Sequence, residues 1–285
     1  MTKRERYIRN QESIKTRAIY KLLQEQKKEF VKLLEKQDKK ALFYTKKGID
    51  DDIIDPFLDN IKAMIPEYLF TALPKIMEEW AREPIQRYKE LLPDDYALVF
   101  DIETEPASQY LTELRDLHLS QKQGSILKTT RDELRTIMAN WIDEGMSYTE
   151  IGKQILEQDP FVFSKSRAKT IAVNEIGRAY GWANHEPAQV LQDDGYVMEK
   201  SWQSSDDDKV RPTHKENEDD GWIPFDDTFS WTGDQFAPST EDINCRCTST
   251  HRVTGISDGK SIHAIPKGMS WAEIKKIFEK VKIRV

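Results

Sequence analysis

Apolar residues at helical spacing dominate this 285-residue chain up to Gly195, where the pattern stops. In residues 5–47, apolar side chains recur at intervals of three, four and seven with charged residues between them, as on one face of a helix. Such a narrow apolar stripe leaves a lone helix only marginally stable, so it needs a partner surface in its own chain or in another. The pattern predicts a fold that is mainly α.

Helix-breaking residues divide the segments that follow. Residues 53–92 carry four prolines, and because a proline inside a helix removes a hydrogen bond and kinks the axis, we expect short helices joined there. Residues 94–103 are predicted to form a strand or a buried extended piece. Residues 107–123 and 126–144 are predicted to be two further helices.

Two serines indicate where later helices begin. Ser147 and Glu150 have the spacing of a capping box, in which each side chain bonds the backbone N–H of the other, and this predicts a helix to about Gln158. Ser164 begins a long helix with small residues on one face that permit close packing, and Pro187 is expected to kink or end it.

The composition changes after Gly195. Residues 196–203 are predicted to form a strand, and residues 204–242 are acidic, rich in Gly, Pro and Trp, and mostly loop-like. Short strands are predicted at 222–225 and 247–253. The predicted fold class is therefore α+β, mainly α: a helical N-terminal region and a long-helix bundle, followed by a small loop-rich C-terminal module with a few short strands.

Charge is distributed unevenly along the chain. Residues 1–47 hold 15 Lys and Arg against 6 Asp and Glu, whereas the remainder has a net charge of −16. A basic arm on an acidic body indicates an interaction tail, for which DNA is a candidate partner, although a solvated lysine-rich helix has the same composition. The side chains predicted to contact DNA are Lys3, Arg4, Arg6, Arg9, Lys15 and Arg17.

Two bulk features bear on location. No apolar run approaches the roughly 18 residues that a membrane span needs, so no membrane span is expected. The two cysteines, Cys245 and Cys247, are separated by one residue and form no disulfide framework. They favour synthesis in a reducing compartment, which here means a host cytoplasm.

An ordered set of motifs lies between residues 167 and 247. A helix with Arg167 and Glu175 in the pattern R-A-x-x-I-A-x-N-E is followed by W-x(4)-D-x(2)-V-R-x-x-H, and the set closes on N-C-R-C. This order resembles the Mu F-like head morphogenesis domain of phage minor head proteins. The chain departs from the family's compact turn after the histidine, because six residues separate His214 from Gly221. The other motif residues are Trp202, Asp207, Arg211 and Asn244.

The resemblance implies a domain at residues 126–254, preceded by an α-rich region at 1–125 and followed by a linker and short helix at 255–285. It implies a structural, non-enzymatic minor head protein of a tailed bacteriophage that lies inside the virion. Such a protein associates with the portal protein, is packaged in the procapsid, has scaffold or major capsid protein as further candidate partners, and aids DNA packaging or delivery in some members.

The motif side chains have plausible structural roles. Trp202 brings a large apolar ring to a module whose loops offer little else. Arg211 is expected to pair with an acid such as Asp207, and Asn244 suits a turn. Together with Arg167 and Glu175, these residues are predicted to hold an irregular domain together.

His214, Cys245 and Cys247 are predicted to lie close together. One imidazole and two thiols supply three ligands of a tetrahedral Zn²⁺ site, with Asp207 or another carboxylate as a fourth. The alternative is that both cysteines are small buried apolar side chains without a metal. In either case the cluster fixes the two ends of the acidic loop.

Enzymatic alternatives fit the sequence less well. His214 and Glu216 followed by two cysteines are similar to a zinc deaminase signature, but the cysteine spacing is C-x-C and Asn244 stands where that signature has proline. His214, Asn244 and His251 follow the order of an H-N-H nuclease, a metal-dependent alternative that would use His214. Against it, residues 191–242 hold 15 acidic and 4 basic side chains, a poor surface for DNA.

Overall fold

The computed structural model describes residues 3–38, 53–90, 92, 98–120, 125–158, 160–205, 207–238, 243–257 and 262–264. These residues are mainly helical and carry one small antiparallel sheet, so the predicted mainly α, α+β class is confirmed. The helices are α1 Lys3–Asp38, α2 Asp55–Phe70, α3 Leu73–Lys89, α4 Glu105–Leu119, α5 Ile126–Asp143, α6 Tyr148–Gln158, α7 Lys165–Asp193 and α8 Pro212–Asp219. The strands are β1 Tyr196–Gln203, β2 Trp222–Pro224, β3 Thr248–Ser257 and β4 Ile262–Ala264.

The chain divides into two compact units. The helical unit comprises Met1–Leu73 and Glu103–Ile176, and the sheet unit comprises Pro74–Ile102 and Gly177–Val285. The division falls inside α7, after Ile176. The domains predicted at 1–125, 126–254 and 255–285 follow the motifs rather than this division, and they stay a prediction.

The helical unit has a core of aliphatic and phenylalanine side chains. α1 is one helix, as its spacing predicted, and its stripe is buried in this core, including Leu23, Phe30 and Leu34. Phe30 lies 4.8 Å from Phe57 between ring centroids. The stripe therefore finds its partner surface within its own unit; residues 39–47 of the predicted basic arm lie outside the described residues.

The prolines do not separate short helices as predicted. Pro56 and Pro74 lie in the first turns of α2 and α3, while Pro66 and Pro84 lie inside these helices. A first-turn proline removes no helical hydrogen bond, since that N–H has no partner in the helix. An interior proline removes one, and the loss is offset here because both helices bury apolar residues along their length, among them Ile65 and Ala81.

Helix starts agree with the capping patterns. The Ser147 hydroxyl accepts from Glu150 N at 3.2 Å, and Ser147 N donates to the Glu150 carboxylate at 2.8 Å, so the capping box is confirmed. Ser164 Oγ accepts from Arg167 N at 3.2 Å at the start of α7. α7 continues through Pro187 to Asp193, and Gly195, with φ of +91°, turns the chain into β1.

The sheet has the strand order β2-β1-β3-β4, and its neighbours are antiparallel. β1 has the predicted bounds. The strand prediction at 94–103 is wrong for residues 98–103, which form an irregular segment and turn with Leu98 buried. β4 lies within the predicted linker, and the predicted C-terminal helix lies outside the described residues.

Helix α8 lies in a segment predicted to be mostly loop. Of its eight residues only His214 and Asn217 are buried, so no apolar periodicity reveals it in the sequence. Pro212 occupies its first turn, and Gly221, with φ of +72°, follows its end. The residues that separate His214 from Gly221 are thus the remainder of a helix rather than a loop insertion.

Candidate metal centre

The helix α8 presents His214 from its first turn. Before it, the Asp207 carboxylate accepts from Lys209 N at 2.9 Å and closes a local turn. The Arg211 guanidinium donates to the Ile243 carbonyl at 2.8 Å. The expected partner of Arg211 was an acid such as Asp207; the bond observed instead ties the start of α8 to the chain just before the cysteines.

The cysteines are presented by a tight turn that leads into β3. Asn244 has φ of +60°, the left-handed region that asparagine tolerates better than most residues, so its predicted turn role is confirmed. Cys245 and Cys247 are both buried, and the intervening Arg246 is exposed. The alternation places both thiols on the same, inward side.

The three side chains converge as predicted. His214 Nδ1 lies 3.6 Å from Cys245 Sγ and 3.4 Å from Cys247 Sγ. The three ligand atoms lie within 4.8 Å of one another, and the His214 side chain is only 1% exposed. Among the described residues, no further His, Cys, Asp or Glu joins this group; Asp207 is exposed and does not supply a fourth ligand.

Aromatic rings enclose the cluster. Trp202 on β1 is fully buried, with its ring centroid 5.2 Å from His214 and 5.0 Å from Phe229. Both contacts are edge-to-face, the geometry that aromatic pairs favour. Trp202, Phe229, Ala237 and the two cysteines form one buried cluster, so Trp202 is the apolar anchor that the sequence indicated.

The thiols lie in an environment that disfavours negative charge. A hydrogen bond with Cys245, followed by burial, raises the pKa of the Cys247 thiol well above its usual range. Protein groups alone therefore keep this side chain neutral at physiological pH. A thiolate here requires a cation at the cluster.

Polar side chains that the sequence analysis missed hold the surrounding loops. Asn217 is buried, donates to Thr232 Oγ1 at 3.0 Å and accepts from Trp231 N at 3.0 Å. The Glu218 carboxylate accepts from both the backbone and the hydroxyl of Ser204. Such single Asn and Glu residues in a polar run have no sequence signal, because only the folded loop brings their partners to them.

The loop before the cysteines packs closely on α7. A Cβ placed on Gly181 would lie 2.4 Å from the Ala237 carbonyl oxygen, so only glycine fits there. Asn184 Nδ2, on the same helix, donates to the Ser249 carbonyl at 2.6 Å. The small residues of α7 therefore permit the close packing that the sequence predicted.

A second buried polar group lies in the sheet unit. His185 stacks on Phe225 at 4.6 Å and lies 5.5 Å from His251 between ring centroids. Burial, and then the charge of Lys200, lower the pKa of His185 to about 3, and burial lowers the pKa of His251 as well. The Lys200 ammonium donates to the backbone carbonyl of Gln235 at 2.8 Å.

The helical unit contains the other two motif residues. Arg167 is buried and donates to the Val162 carbonyl and to Thr130 Oγ1, both at 2.7 Å. Glu175 is buried and lies 2.9 Å from His118 Nε2. Both side chains join separate elements of the unit, in agreement with the structural role predicted for them.

The residues predicted to contact DNA lie on α1, but not on one surface. Arg6, Arg9 and Arg17 are exposed. Lys15 is buried, at 5% exposure, and burial lowers its pKa to about 8 in spite of the nearby Glu175. Lys3 and Arg4 belong to the first turn of α1, and their side chains are outside the description.

The fold and the site define a mainly α protein with a small sheet module fastened around a buried His-Cys-Cys cluster. Residues 132–250 match the model of the family described as Phage Mu protein F like protein. The resemblance drawn from the motifs is thereby confirmed, and this part of the chain is a Mu F-like domain. The match supports the class of phage head morphogenesis proteins.

One curated relative shows a different activity in its name. The chain is 33% identical over 137 residues to the NAD(+)--arginine ADP-ribosyltransferase EFV of Enterococcus faecalis (strain ATCC 700802 / V583). The matched region covers 45% of this chain and 28% of that protein, so the chain spans a little over a quarter of the relative's length. No solved structure matches the chain significantly. No helix among the described residues is long and apolar enough to cross a membrane.

Proposed function

We propose that this protein is a non-enzymatic minor head protein of a tailed bacteriophage, associated with the portal and packaged in the procapsid inside the virion. The observation that carries the proposal is the family match over residues 132–250, which contains the complete ordered motif set from Arg167 to Cys247. Scaffold or major capsid protein are further proposed partners, and synthesis takes place in the host cytoplasm.

The structure changes the physical argument for portal association. The apolar stripe of α1 was a candidate portal-binding surface, but it is buried in the helical unit's own core. Portal binding must therefore use another surface, and the proposal rests on the family. The test is co-expression of the full chain with the portal protein encoded beside it, followed by size-exclusion chromatography and mass spectrometry of purified procapsids. A stable complex and recovery from procapsids are expected; absence from procapsids would contradict the proposal.

DNA contact is proposed for the exposed arginines of α1. Deleting residues 1–47 would remove core side chains such as Phe30 and Leu34, so loss of binding would not identify a contact surface. The sharper variant is the triple substitution Arg6→Gln, Arg9→Gln, Arg17→Gln, with Lys28→Gln, Lys32→Gln, Lys36→Gln on the exposed C-terminal half of α1 as control. Binding should be sequence-independent, and its salt dependence should decrease by roughly 0.9 per lost phosphate contact in the arginine variant alone.

The nuclease alternative requires His214 to act as a base near a phosphate. His214 is buried, and its Nδ1 lies between two thiols, which leaves that nitrogen inaccessible to DNA. We therefore expect no metal-dependent cleavage of plasmid DNA by the full chain. Cleavage that His214→Ala abolishes, in a variant that keeps its fold, would overturn the non-enzymatic assignment.

A second candidate function is ADP-ribosyl transfer, and the specific observation that favours it is the named activity of the Enterococcus relative. Incubation with labelled NAD⁺ and an arginine-containing acceptor tests it directly. We expect no labelled acceptor, because the match leaves most of that enzyme without a counterpart in this chain. Time-dependent labelling together with nicotinamide release would establish the enzymatic alternative instead.

A further inference from the structure

We infer that His214, Cys245 and Cys247 bind one Zn²⁺ ion that fastens α8 to the start of β3. This inference is independent of the proposed role in the phage head. It concerns the chemistry of one imidazole nitrogen and two sulfurs, which is a donor set that Zn²⁺ accepts readily in proteins. All three side chains are buried, at 6% exposure or less, which suits a structural ion.

The spacing of the donors is the first argument. In a tetrahedral site with Zn–S near 2.3 Å and Zn–N near 2.0–2.1 Å, nitrogen and sulfur ligands lie about 3.5 Å apart. The observed separations from His214 Nδ1 are 3.6 Å to Cys245 Sγ and 3.4 Å to Cys247 Sγ. Both distances match, which means that a single ion reaches all three atoms without rearrangement of the backbone.

The number of lone pairs is the second argument. A neutral imidazole Nδ1 can either accept one S–H hydrogen bond or donate one N–H, so it cannot bond both thiols at once. Two nearly equal contacts to one nitrogen are therefore poorly explained by hydrogen bonding alone. A shared cation uses the lone pair of His214 and one lone pair from each sulfur, and it accounts for both contacts.

The charge balance is the third argument. Two thiolates and one neutral imidazole around Zn²⁺ have a net charge of zero, so the occupied site places no unbalanced charge in the interior. The walls of the site are the Trp202 and Phe229 rings and Ala237. A neutral complex fits this apolar wall, whereas an isolated thiolate would not.

The ion has a clear mechanical role. The residues between His214 and Cys245 form a helix, a short strand and loops with few aliphatic side chains, and the buried cluster at their base is small. Fixing both ends of this segment removes loop-closure entropy from the unfolded chain. The fourth position is held by water or by a donor outside the described residues, since Asp207 does not approach the group.

The test uses the full chain purified from medium without added zinc. Elemental analysis by mass spectrometry should give about one zinc per chain, as expected for one tetrahedral site. Substitution with Co²⁺ should give a thiolate-to-cobalt charge-transfer band and intense visible bands of a tetrahedral complex. Cysteine thiols should react slowly with a thiol reagent, and a chelator should accelerate the reaction at least about tenfold because it opens the site.

Matched variants separate ligand loss from general damage. Cys247→Ser and His214→Ala should each lower zinc content to a tenth or less. Trp202→Phe, which alters the ring packed on His214, and His251→Gln, a buried histidine of the same unit outside the group, should keep the zinc.

The wild-type measurements keep the inference falsifiable even if every ligand variant fails to fold. A folded chain that stays free of zinc after incubation with the ion, gives no cobalt charge-transfer band and shows thiol reactivity unaffected by chelator would overturn it. That result would leave a hydrogen-bonded thiol pair at this position. It would not affect the proposed role in the phage head, which the procapsid experiment tests separately.

Discussion

The helical unit and the sheet unit are stabilised by different kinds of interaction. The helical unit buries aliphatic and phenylalanine side chains at regular helical intervals, as with Phe30 and Leu34 on α1. The sheet unit buries polar and ring-bearing side chains, among them Lys200, His214 and Asn217, whose partners lie far away in the sequence. Apolar burial is non-directional and tolerates exchange of side chains, whereas each buried polar group must find a particular partner.

The consequence concerns sensitivity to substitution. In the helical unit, many similar contacts share the load, and a neighbour can move to fill part of a lost volume. In the sheet unit, a few rings and hydrogen bonds fix loops that have no aliphatic core beneath them. We therefore expect larger and more localised effects from single substitutions in the sheet unit.

The largest effect is expected from Trp202→Ala. The ring is fully buried between His214 and Phe229, so its removal should lower the free energy of unfolding by about 3–5 kcal/mol. Urea denaturation followed by circular dichroism measures the change. Trp231→Ala is the control, because that ring is 52% exposed and its loss should change the free energy of unfolding by less than about 0.5 kcal/mol. Equal losses in both variants would break the comparison.

Acid should destabilise the sheet unit through His185. Its pKa is about 3 in the folded protein against an ordinary value of 6.5, so the folded state disfavours the proton. The stabilising contribution is complete above pH 6.5 and decreases as pH falls toward 3, because the unfolded chain binds the proton first. The free energy of unfolding should fall by up to about 1.4 kcal/mol per pH unit in this range. His185→Gln should make the profile shallower; an unchanged slope would show that other groups dominate.

Two glycine substitutions sharpen the comparison between the units. Gly181→Ala should cost about 1–3 kcal/mol, because the new Cβ would meet the Ala237 carbonyl oxygen at 2.4 Å and backbone would have to move. Gly152→Ala on α6 meets Val31 Cγ1 at 3.1 Å, the end of a side chain that can shift. There the gain in helix propensity, about 1 kcal/mol, should roughly offset the contact. Thermal denaturation of both variants measures the difference, and a stabilised Gly181→Ala variant would contradict it.

The smallest effect is expected at a helix start of the helical unit. Ser147→Ala removes the hydroxyl that accepts from Glu150 N, and it should lower the free energy of unfolding by about 1 kcal/mol. Ser13→Ala is the matched control, since that serine is exposed within α1 and alanine favours a helix there. Equal destabilisation by the two substitutions would mean that the cap contributes nothing.

Several elements could be predicted because their signals are local. The stripe of α1, the capping box at Ser147 and the strand Tyr196–Gln203 each depend on residues only a few positions apart. Spacing of this kind is set by the geometry of one helix or one strand. The prolines were misjudged for the opposite reason, because the burial that offsets Pro66 and Pro84 comes from residues elsewhere in the chain.

The sequence by itself determined the mainly α class, the order of the motifs and the convergence of His214 with the two cysteines. Only the tertiary structure decided that the stripe of α1 is covered by its own unit, that Lys15 is buried, and that Arg211 bonds the Ile243 carbonyl. It also revealed α8, whose buried residues are a histidine and an asparagine. The physical reason is that a helix without an apolar face is stabilised by particular polar partners, and these exist only once the distant parts of the chain have come together.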